Sequence, residues 1–247
     1  MFYTLLLGSL CIVSIKCGKL PPDMKTCHRS DADMGHCLKD AIQDALPKLK
    51  DGIPSIHFSP IEPFIISDLT IGAGGKAVNV VQNYKNMIIH DLTKSKINSA
   101  KVKYDSDNFH GEFDIIVPYV KAEADYTVDG KVMMFPVQGN GKCSFIFKDV
   151  KLTLEMHGSK FEKKGVEYLK IQDVSVKYVP KHAEFHFDNL FNGDKELGDA
   201  MNKLINDNWH DLFEEVRGGF EEGFTHLFKH TTNAIFTKVP LDELFPQ

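Results

Sequence analysis

The chain has 247 residues, 43% of them hydrophobic and 26% charged, and this balance excludes an intrinsically disordered protein. Its net charge of -5, with no basic run longer than Lys163-Lys164, excludes a nucleic-acid-binding surface, which needs clustered Lys and Arg. The 18 Phe against 1 Trp supply apolar bulk without polar groups, which suits either a Phe-rich core or the lining of a large apolar space.

Residues 1–18 are predicted to be a secretory signal peptide. Their apolar run is too short to span a bilayer, and cleavage is expected near Cys17 or Gly18, although no basic residue precedes the run. No later segment is apolar enough to cross a membrane. We therefore expect residues 19–247 to form a single domain of a secreted, extracellular protein. The apolar run of the predicted signal peptide contains Leu5, Leu6, Leu7, Leu10, Ile12, Val13 and Ile15.

Removal of the signal peptide would leave Cys27, Cys37 and Cys143. In an oxidising compartment Cys27 and Cys37 are predicted to form a disulfide, whose small loop would stabilise the fold by roughly 3 kcal/mol. Cys143 is then unpaired. We expect it to be buried and inert; the alternative is an exposed thiol that pairs between molecules.

A short amphipathic helix is predicted directly after Cys37, because apolar residues recur there at helical spacing. Asp31 or Asp33 could cap its start, and Pro47 should kink or end it. The apolar positions are Leu38, Ile42, Ala45 and Leu49.

From Phe64 to about Phe187 the apolar pattern changes to a period of two, which indicates strands with one buried and one solvent-facing side. Short turns favour an antiparallel sheet, since parallel strands need long crossovers. Strands of roughly eight to fifteen residues with one apolar face are expected to coil around whatever that face covers. Alternation is clearest at 121–128, 150–156 and 182–188, and the predicted turns are Gly74-Gly75, Asp129-Gly130, Gly139-Asn140-Gly141 and Lys164-Gly165.

A long C-terminal helix is predicted from the capping residue Asp194 to about Asn233, since apolar residues recur there every three or four positions. About forty helical residues would span on the order of 60 Å, so either the body is elongated or the helix breaks. Gly218-Gly219 and Gly223 are the expected site of a bend. No internal repeat or linker interrupts the chain, which favours one domain.

Sequence motifs typical of catalytic or metal-binding sites are weak in this chain. No G-x-S-x-G nucleophile motif occurs, and no helical pattern follows the glycine-rich segments, so neither a hydrolase elbow nor a phosphate loop is predicted. His226 and His230 have the spacing of two zinc ligands but lack the glutamate of the H-E-x-x-H motif. We interpret them as solvent-facing, as we do His182, Glu184 and His186, which share the outer side of one strand. No cofactor is expected.

An inward-pointing Tyr could donate a hydrogen bond to an ester, ketone or epoxide oxygen of an apolar ligand. Tyr126 is the first candidate, because its neighbours alternate most regularly between polar and apolar. The alternative for any of the tyrosines is a core or rim position whose hydroxyl reaches water.

Several segments match one protein family in residue identity and in their order along the chain. They are the Cys27 and Cys37 pair before a short helix, the glycine-rich run at 135–141 that follows Gly130, and the segment 189–198. Further matching positions are Asn202, Leu204, Asn206, Asn208-Trp209, Val239-Pro240 and Phe245-Pro246. With these segments the chain resembles the insect takeout and juvenile-hormone-binding protein family over essentially the whole mature sequence.

The resemblance implies an α+β fold in which a highly curved antiparallel β-sheet wraps a long C-terminal helix and encloses an apolar tunnel. It also implies a cargo such as juvenile hormone, related terpenoids, fatty acids or other long apolar molecules. Takeout-like proteins have been tied to feeding, rhythms and chemosensation. Because the mature chain lacks the cysteines for the second disulfide of the hormone-binding branch, the takeout-like branch is favoured.

The resulting hypothesis is a secreted, monomeric, non-enzymatic carrier that holds a small, elongated hydrophobic ligand and makes at most transient contact with a membrane or receptor. The alternatives are a membrane-associating lipid-transfer protein with an exposed apolar rim and an ester hydrolase, which the missing nucleophile motif disfavours. Inward strand residues and the apolar face of the helix would form the ligand-binding wall. The candidates are Phe113, Ile115, Val117, Tyr126, Met134, Leu152, Leu154, Met156, Leu204, Leu212, Val216, Phe220 and Phe224.

Overall fold

The computed structural model describes residues 18–72, 75–105 and 107–247, so the predicted signal peptide before Gly18 and Gly74 of the predicted Gly74-Gly75 turn lie outside the described residues. Within these ranges helix α1 comes first, seven strands follow, and three helices come last. The helices are α1 (Met34–Lys48), α2 (Lys195–Asp207), α3 (Trp209–Phe236) and α4 (Leu241–Leu244). The strands are β1 (Phe64–Ile71), β2 (Val78–His90), β3 (Lys96–Asp105), β4 (Asn108–Val132), β5 (Phe135–Lys163), β6 (Val166–Val179) and β7 (His182–Phe187).

Two very long strands form the spine of the antiparallel sheet. β4 and β5 have 25 and 29 residues and pair along the whole length of β4 except at Pro118. One half of β4 pairs with β2, which carries β1, and the other half pairs with β3. β5 divides its free side between β7 and β6 in the same way. The predicted α+β fold is confirmed, although these two strands are longer than predicted.

The sheet curves around α3. β1 and β7 are the opposite edges of one half of the sheet, separated by four strand spacings, which would be about 19 Å in a flat sheet. Yet α3 contacts both β1 and β7, and a helix with its side chains is only about 10 Å across. The sheet therefore bends until both edges reach the same helix, without closing into a barrel. None of the helices in the described ranges is long and apolar enough to cross a membrane.

Asparagine side chains on α2 complete the hydrogen bonding of the free edge of β7. Asn206 accepts from the backbone N–H of Phe185 at 2.9 Å and donates to the carbonyl of the same residue at 2.7 Å. Asn202 forms the same two bonds with Phe187, both at 2.9 Å. Each side-chain amide thus takes the place of a neighbouring strand at one residue.

The free edges of β6 and β3 are treated in the same way. Asn233 on α3 accepts from the N–H of Ile171 and donates to its carbonyl, both at 2.9 Å. Gln43 on α1 accepts from the N–H of Ile97 at 2.8 Å and donates to the carbonyl of Ser95 at 3.1 Å. Helices therefore hold three strand edges by side-chain amides.

The predicted N-terminal helix and its disulfide are confirmed, although the helix begins at Met34 and not after Cys37. Asp33 caps α1 by accepting from the N–H of His36 at 3.0 Å, and Pro47 lies in the last turn, one residue before the helix ends. The Cys27–Cys37 disulfide, with an S–S distance of 2.01 Å, ties the preceding segment to the first turn of α1.

The break in the C-terminal helix does not lie at the predicted glycines. Helix α3 runs unbroken through Gly218-Gly219 and Gly223, and the break is instead at Asn208, between α2 and α3. The backbone N–H and the side-chain amide of Asn208 both donate to the carbonyl of Leu204, at 3.2 and 2.8 Å, and so end α2.

The α3 glycines allow a close approach to β1. A Cβ on Gly219 would lie 2.7 Å from Ile71 Cγ2, and one on Gly223 would lie 2.6 Å from Leu69 Cδ1. A Cβ at either position would force Ile71 or Leu69 on β1 to move, so packing against β1 explains the glycines that had suggested a bend.

One predicted turn is confirmed and two are wrong. Lys164-Gly165 connects β5 to β6, whereas Asp129-Gly130 and Gly139-Asn140-Gly141 lie inside β4 and β5. The turn between β4 and β5 is Met133-Met134. A Cβ on Gly130 would lie 2.2 Å from a carbonyl oxygen of β2, and one on Gly141 would lie 3.0 Å from a carbonyl oxygen of the segment before α2. These glycines therefore allow backbone segments to approach each other.

Replacing Asn206 with Leu should lower the free energy of unfolding by about 2 kcal/mol, because the N–H and C=O of Phe185 would lose their partners. Urea unfolding followed by circular dichroism measures the change. Asn79→Leu is the matched control, since Asn79 is exposed on β2 and its side chain forms no hydrogen bond with a described residue. Equal losses in the two variants would contradict the role of the amide at the edge.

Candidate functional site

An apolar cavity of about 80 Å³ lies between one end of the sheet and the junction of α2 with α3. Its lining contains no charged side chain. From the sheet it includes Val78, Val80, Gln82, Val128, Val132 and Val137. From the helices it includes Ile205, Trp209, Leu212, Phe213, Val216 and Phe220.

Gln82 and Tyr84 on β2 place polar atoms in this apolar lining. Their side chains are buried, and the Tyr84 hydroxyl donates to Gln82 Oε1 at 2.6 Å. Burial raises the pKa of Tyr84 well above its ordinary value, so the hydroxyl stays protonated and acts as a donor.

The break at Asn208 builds the helical side of the cavity. It turns the end of α2 and the start of α3 toward the same space, so that Ile205 and Trp209 both line it. Trp209 is the single Trp of the chain. Its fluorescence therefore reports on the contents of the cavity.

Aromatic rings form a continuous wall beside the cavity. The ring of Tyr84 lies 5.5 Å from that of Phe145 and 6.3 Å from that of Phe220. Phe213 stacks on Phe220 at 6.2 Å. Since each such ring pair contributes about 0.5–1.5 kcal/mol beyond simple burial, this wall is well fixed.

The structure separates the predicted wall residues into four groups. The cavity is lined by Leu212, Val216 and Phe220. Buried in the core cluster, but outside this lining, are Phe113, Val117, Tyr126, Leu152, Leu154 and Met156. Partly buried against the cluster are Ile115, Leu204 and Phe224. Met134 is 82% exposed, and its prediction as a wall residue is wrong because it lies in the turn after β4.

Tyr126 does not offer its hydroxyl proton to a ligand. The side chain points inward, as predicted, but the hydroxyl donates to the backbone carbonyl of Asp188. Burial raises the pKa of Tyr126 to about 12, so this donor persists at physiological pH.

Cys143 is buried, as predicted. Its thiol donates to the carbonyl of Ala124 at a sulfur–oxygen distance of 3.6 Å. Burial raises the pKa of the Cys143 thiol to about 12, which suppresses the nucleophilic thiolate.

Three side chains on the outer side of the sheet could hold a metal ion. His110, Glu155 and His157 offer ligand atoms that all lie within 4.8 Å of one another. The Nδ1 atoms of the two histidines are 3.2 Å apart, and His157 Nε2 lies 3.2 Å from Glu155 Oε1. No linear motif predicts this group, because His110 lies on β4 whereas Glu155 and His157 lie on β5.

The other histidines considered as ligands are solvent-facing, as interpreted. His226 and His230 are exposed on α3, and His182 and His186 are exposed on β7. Glu184 is held by Lys148 Nζ at 2.7 Å and by His182 Nε2 at 3.0 Å.

A family model for haemolymph juvenile hormone binding proteins matches residues 5–246. The chain belongs to this family. This chain is 25% identical to the circadian clock-controlled protein daywake of Drosophila melanogaster. The match covers 91% of this chain and 88% of daywake. A Schistocerca gregaria protein, whose name gives β-carotene binding as a candidate function, is 21% identical, with 90% of this chain and 88% of that protein covered.

The crystal structure of takeout 1 from Epiphyas postvittana shares the fold of this family member. The TM-score is 0.76 at 23% identity, with 90% of this chain and 99% of the takeout chain covered. The predicted membership of the takeout and juvenile-hormone-binding family is therefore confirmed.

Sequence reasoning missed Gln82 and Trp209 as residues of the site. For Gln82 a signal was present: it lies on the inward-facing side of β2 between Val80 and Tyr84, where apolar residues are expected. For Trp209 the decisive feature is the helix break at Asn208, which helical periodicity does not reveal.

In the folded protein, Cys143 should react with iodoacetamide at pH 8 at least about a hundredfold more slowly than in the urea-unfolded chain. At that pH a thiol with a pKa near 12 is almost entirely protonated, and raising the pH should speed the reaction by forming thiolate. Peptide mapping by mass spectrometry measures the rate at this residue. Equal rates in the folded and unfolded chains would contradict the buried environment.

Proposed function

We propose that the protein is a secreted, monomeric carrier that binds a small, elongated hydrophobic ligand, such as a terpenoid, a fatty acid derivative or a similar lipid. The observation that carries this proposal is the apolar cavity between β2, β7 and the α2–α3 junction, with no charged residue in its lining. Each buried CH₂ group of a ligand would contribute about 0.8 kcal/mol, so affinity requires no ion pair.

The size of the cavity limits what it holds without rearrangement. A water-sized group needs about 10–15 Å³ of such volume, so 80 Å³ accommodates one end of a long ligand. The rest would extend along α3 by displacing side chains from the inner side of the sheet, and this would create the proposed tunnel. Met156 and Phe224, a flexible and a large apolar side chain, suit such an adaptable lining.

The family supports a binding role and an extracellular location. Its name describes hormone binding in haemolymph, and one relative is named for a long apolar carotenoid. The Cys27–Cys37 disulfide is typical of proteins that fold in an oxidising compartment. Ester hydrolysis is a weaker candidate, because the sequence has no nucleophile motif, and turnover of an ester by the pure protein would revive it.

Val80→Phe should weaken binding of the neutral fluorescent probe N-phenyl-1-naphthylamine by tenfold or more, because the added ring fills the cavity. Quenching of Trp209 fluorescence by the probe measures the affinity. Val81→Phe is the matched control: Val81 is the next residue of β2 and is 45% exposed, whereas Val80 is 3% exposed. We expect Val81→Phe to bind within twofold of the unmodified protein.

Native mass spectrometry of the purified protein, followed by organic extraction, would identify a retained ligand. Unchanged affinity in a folded Val80→Phe variant would place the ligand elsewhere. A protein that carries no apolar molecule and binds no probe would contradict the carrier proposal.

A membrane-contacting role in loading the ligand is the second candidate, and the β4–β5 turn favours it. Met133, Met134 and Phe135 form three consecutive large apolar residues that are about half exposed or more. The adjacent strand residues Val132 and Val137 line the cavity. Insertion of this turn into a bilayer would therefore bring the cavity close to the hydrocarbon.

Met134→Asp should abolish co-sedimentation of the ligand-free protein with phosphatidylcholine vesicles, because a charge at the tip opposes insertion. Val179→Asp, an exposed apolar position on β6, should leave it unchanged. Absence of co-sedimentation by the unmodified protein would contradict the proposed membrane contact. Equal binding by both variants would show that the turn is not the contact.

A further inference from the structure

We propose that the side-chain amide of Gln82 recognises the polar end of the ligand, and that the preferred ligand carries a neutral oxygen acceptor such as an ester, ketone or aldehyde. This inference rests on the proposed carrier function. It names the chemical class of the ligand and the atom that selects it.

Gln82 is an unusual residue for its position. It lies on the inward side of β2, is only 8% exposed and lines an otherwise apolar cavity. Its Oε1 accepts from the Tyr84 hydroxyl, whereas its amide nitrogen has no hydrogen-bond partner among residues 18–72, 75–105 and 107–247. In the described residues the fully enclosed polar side-chain atoms without a partner are Arg29 Nε and the Tyr104 hydroxyl, so the Gln82 amide nitrogen is open to the cavity. A ligand that excludes water from the cavity would leave these two N–H donors of Gln82 unpaired, which is costly, unless the ligand brings an acceptor. An acceptor inside the cavity would satisfy them.

Tyr84 fixes the direction in which the amide points. Its ring is held between Phe145 and Phe220, and it is almost completely buried. Because its hydroxyl donates to Oε1, the carbonyl side of the Gln82 amide faces Tyr84 and the N–H side faces the cavity. Tyr84 is thus a positioning residue, and Gln82 is the residue that contacts the ligand.

The lining also selects against charge. It contains no Lys, Arg or His, so a carboxylate in the cavity would meet the Gln82 donors without any counter-charge. Removing an unpaired carboxylate from water costs far more than removing a carbonyl. The ester of a fatty or terpenoid acid should therefore bind more tightly than the ionised acid of the same chain.

Displacement of N-phenyl-1-naphthylamine by three ligands of similar length tests this inference: methyl myristate, myristate and pentadecane. In the unmodified protein we expect the ester to bind about tenfold more tightly than either the hydrocarbon or, at pH 8, the acid. Gln82→Leu, close to Gln in volume, should remove the preference for the ester over the hydrocarbon, because Leu has no donor for the ester oxygen.

Two further variants separate recognition from structure. Gln138→Leu, at an exposed position of β5 beside the cavity residue Val137, should keep the full ester preference. Tyr84→Phe removes the hydroxyl that orients the amide and should reduce the preference for the ester over the hydrocarbon about threefold.

The outcomes distinguish this inference from the carrier proposal. If the hydrocarbon and the ester bind equally to the unmodified protein, or if Gln82→Leu keeps the ester preference, the role of Gln82 is overturned and the carrier stands. If no ligand displaces the probe and the probe itself does not bind, the carrier proposal fails and this inference fails with it.

Discussion

The backbone groups along the open edges of the sheet impose the constraint on which the rest of the fold depends. A sheet that curves without closing leaves rows of N–H and C=O groups, and these need partners wherever water is excluded. Here the partners are amide side chains on helices: Asn202, Asn206 and Asn233 from the C-terminal helices and Gln43 from α1. An amide has both donors and an acceptor, so it can satisfy one strand residue completely. These hydrogen bonds therefore fix both the position of each helix along the strand edge and its distance from that edge.

This arrangement explains how a cavity persists between the helices and the sheet. Empty apolar volume costs about 24 cal/mol per Å³, or roughly 2 kcal/mol for a cavity of this size, and collapse would recover that energy. The amide pairs at β7 and the close contact of Gly219 with β1 hold α2 and α3 in place against such a collapse. A ligand that fills the space removes the cost, so occupancy and stability are linked.

Much of the fold could be predicted from the sequence, because strand periodicity directly reflects which side of each strand is buried. The pattern began at Phe64 and ended at Phe187, as the sheet does, and Asp33 was readable as a cap. Periodicity does not reveal where along the sheet an inward residue lies. Leu154 and Val128 both point inward, yet only Val128 lines the cavity.

The positions that were wrongly predicted from the sequence have a common physical explanation. A glycine in a turn and a glycine at a close approach look identical in sequence, and only a contact with a distant segment separates them. Gly141 and Gly219 were misinterpreted for this reason. The function of Gln82 likewise depends on Tyr84 and on the space beside it, neither of which a linear pattern contains.

The side chains that satisfy the edges of β6 and β7 all lie after the last strand. During synthesis on the ribosome, those edges are therefore complete in sequence while Asn202, Asn206 and Asn233 have yet to be made or have only just emerged. At ordinary translation rates, the 46 residues from the end of β7 to Asn233 take roughly 2–9 s to add. During that interval the nascent sheet exposes unpaired strand edges to neighbouring chains. The risk of aggregation during folding therefore depends on how quickly the helices that follow β7 are synthesised.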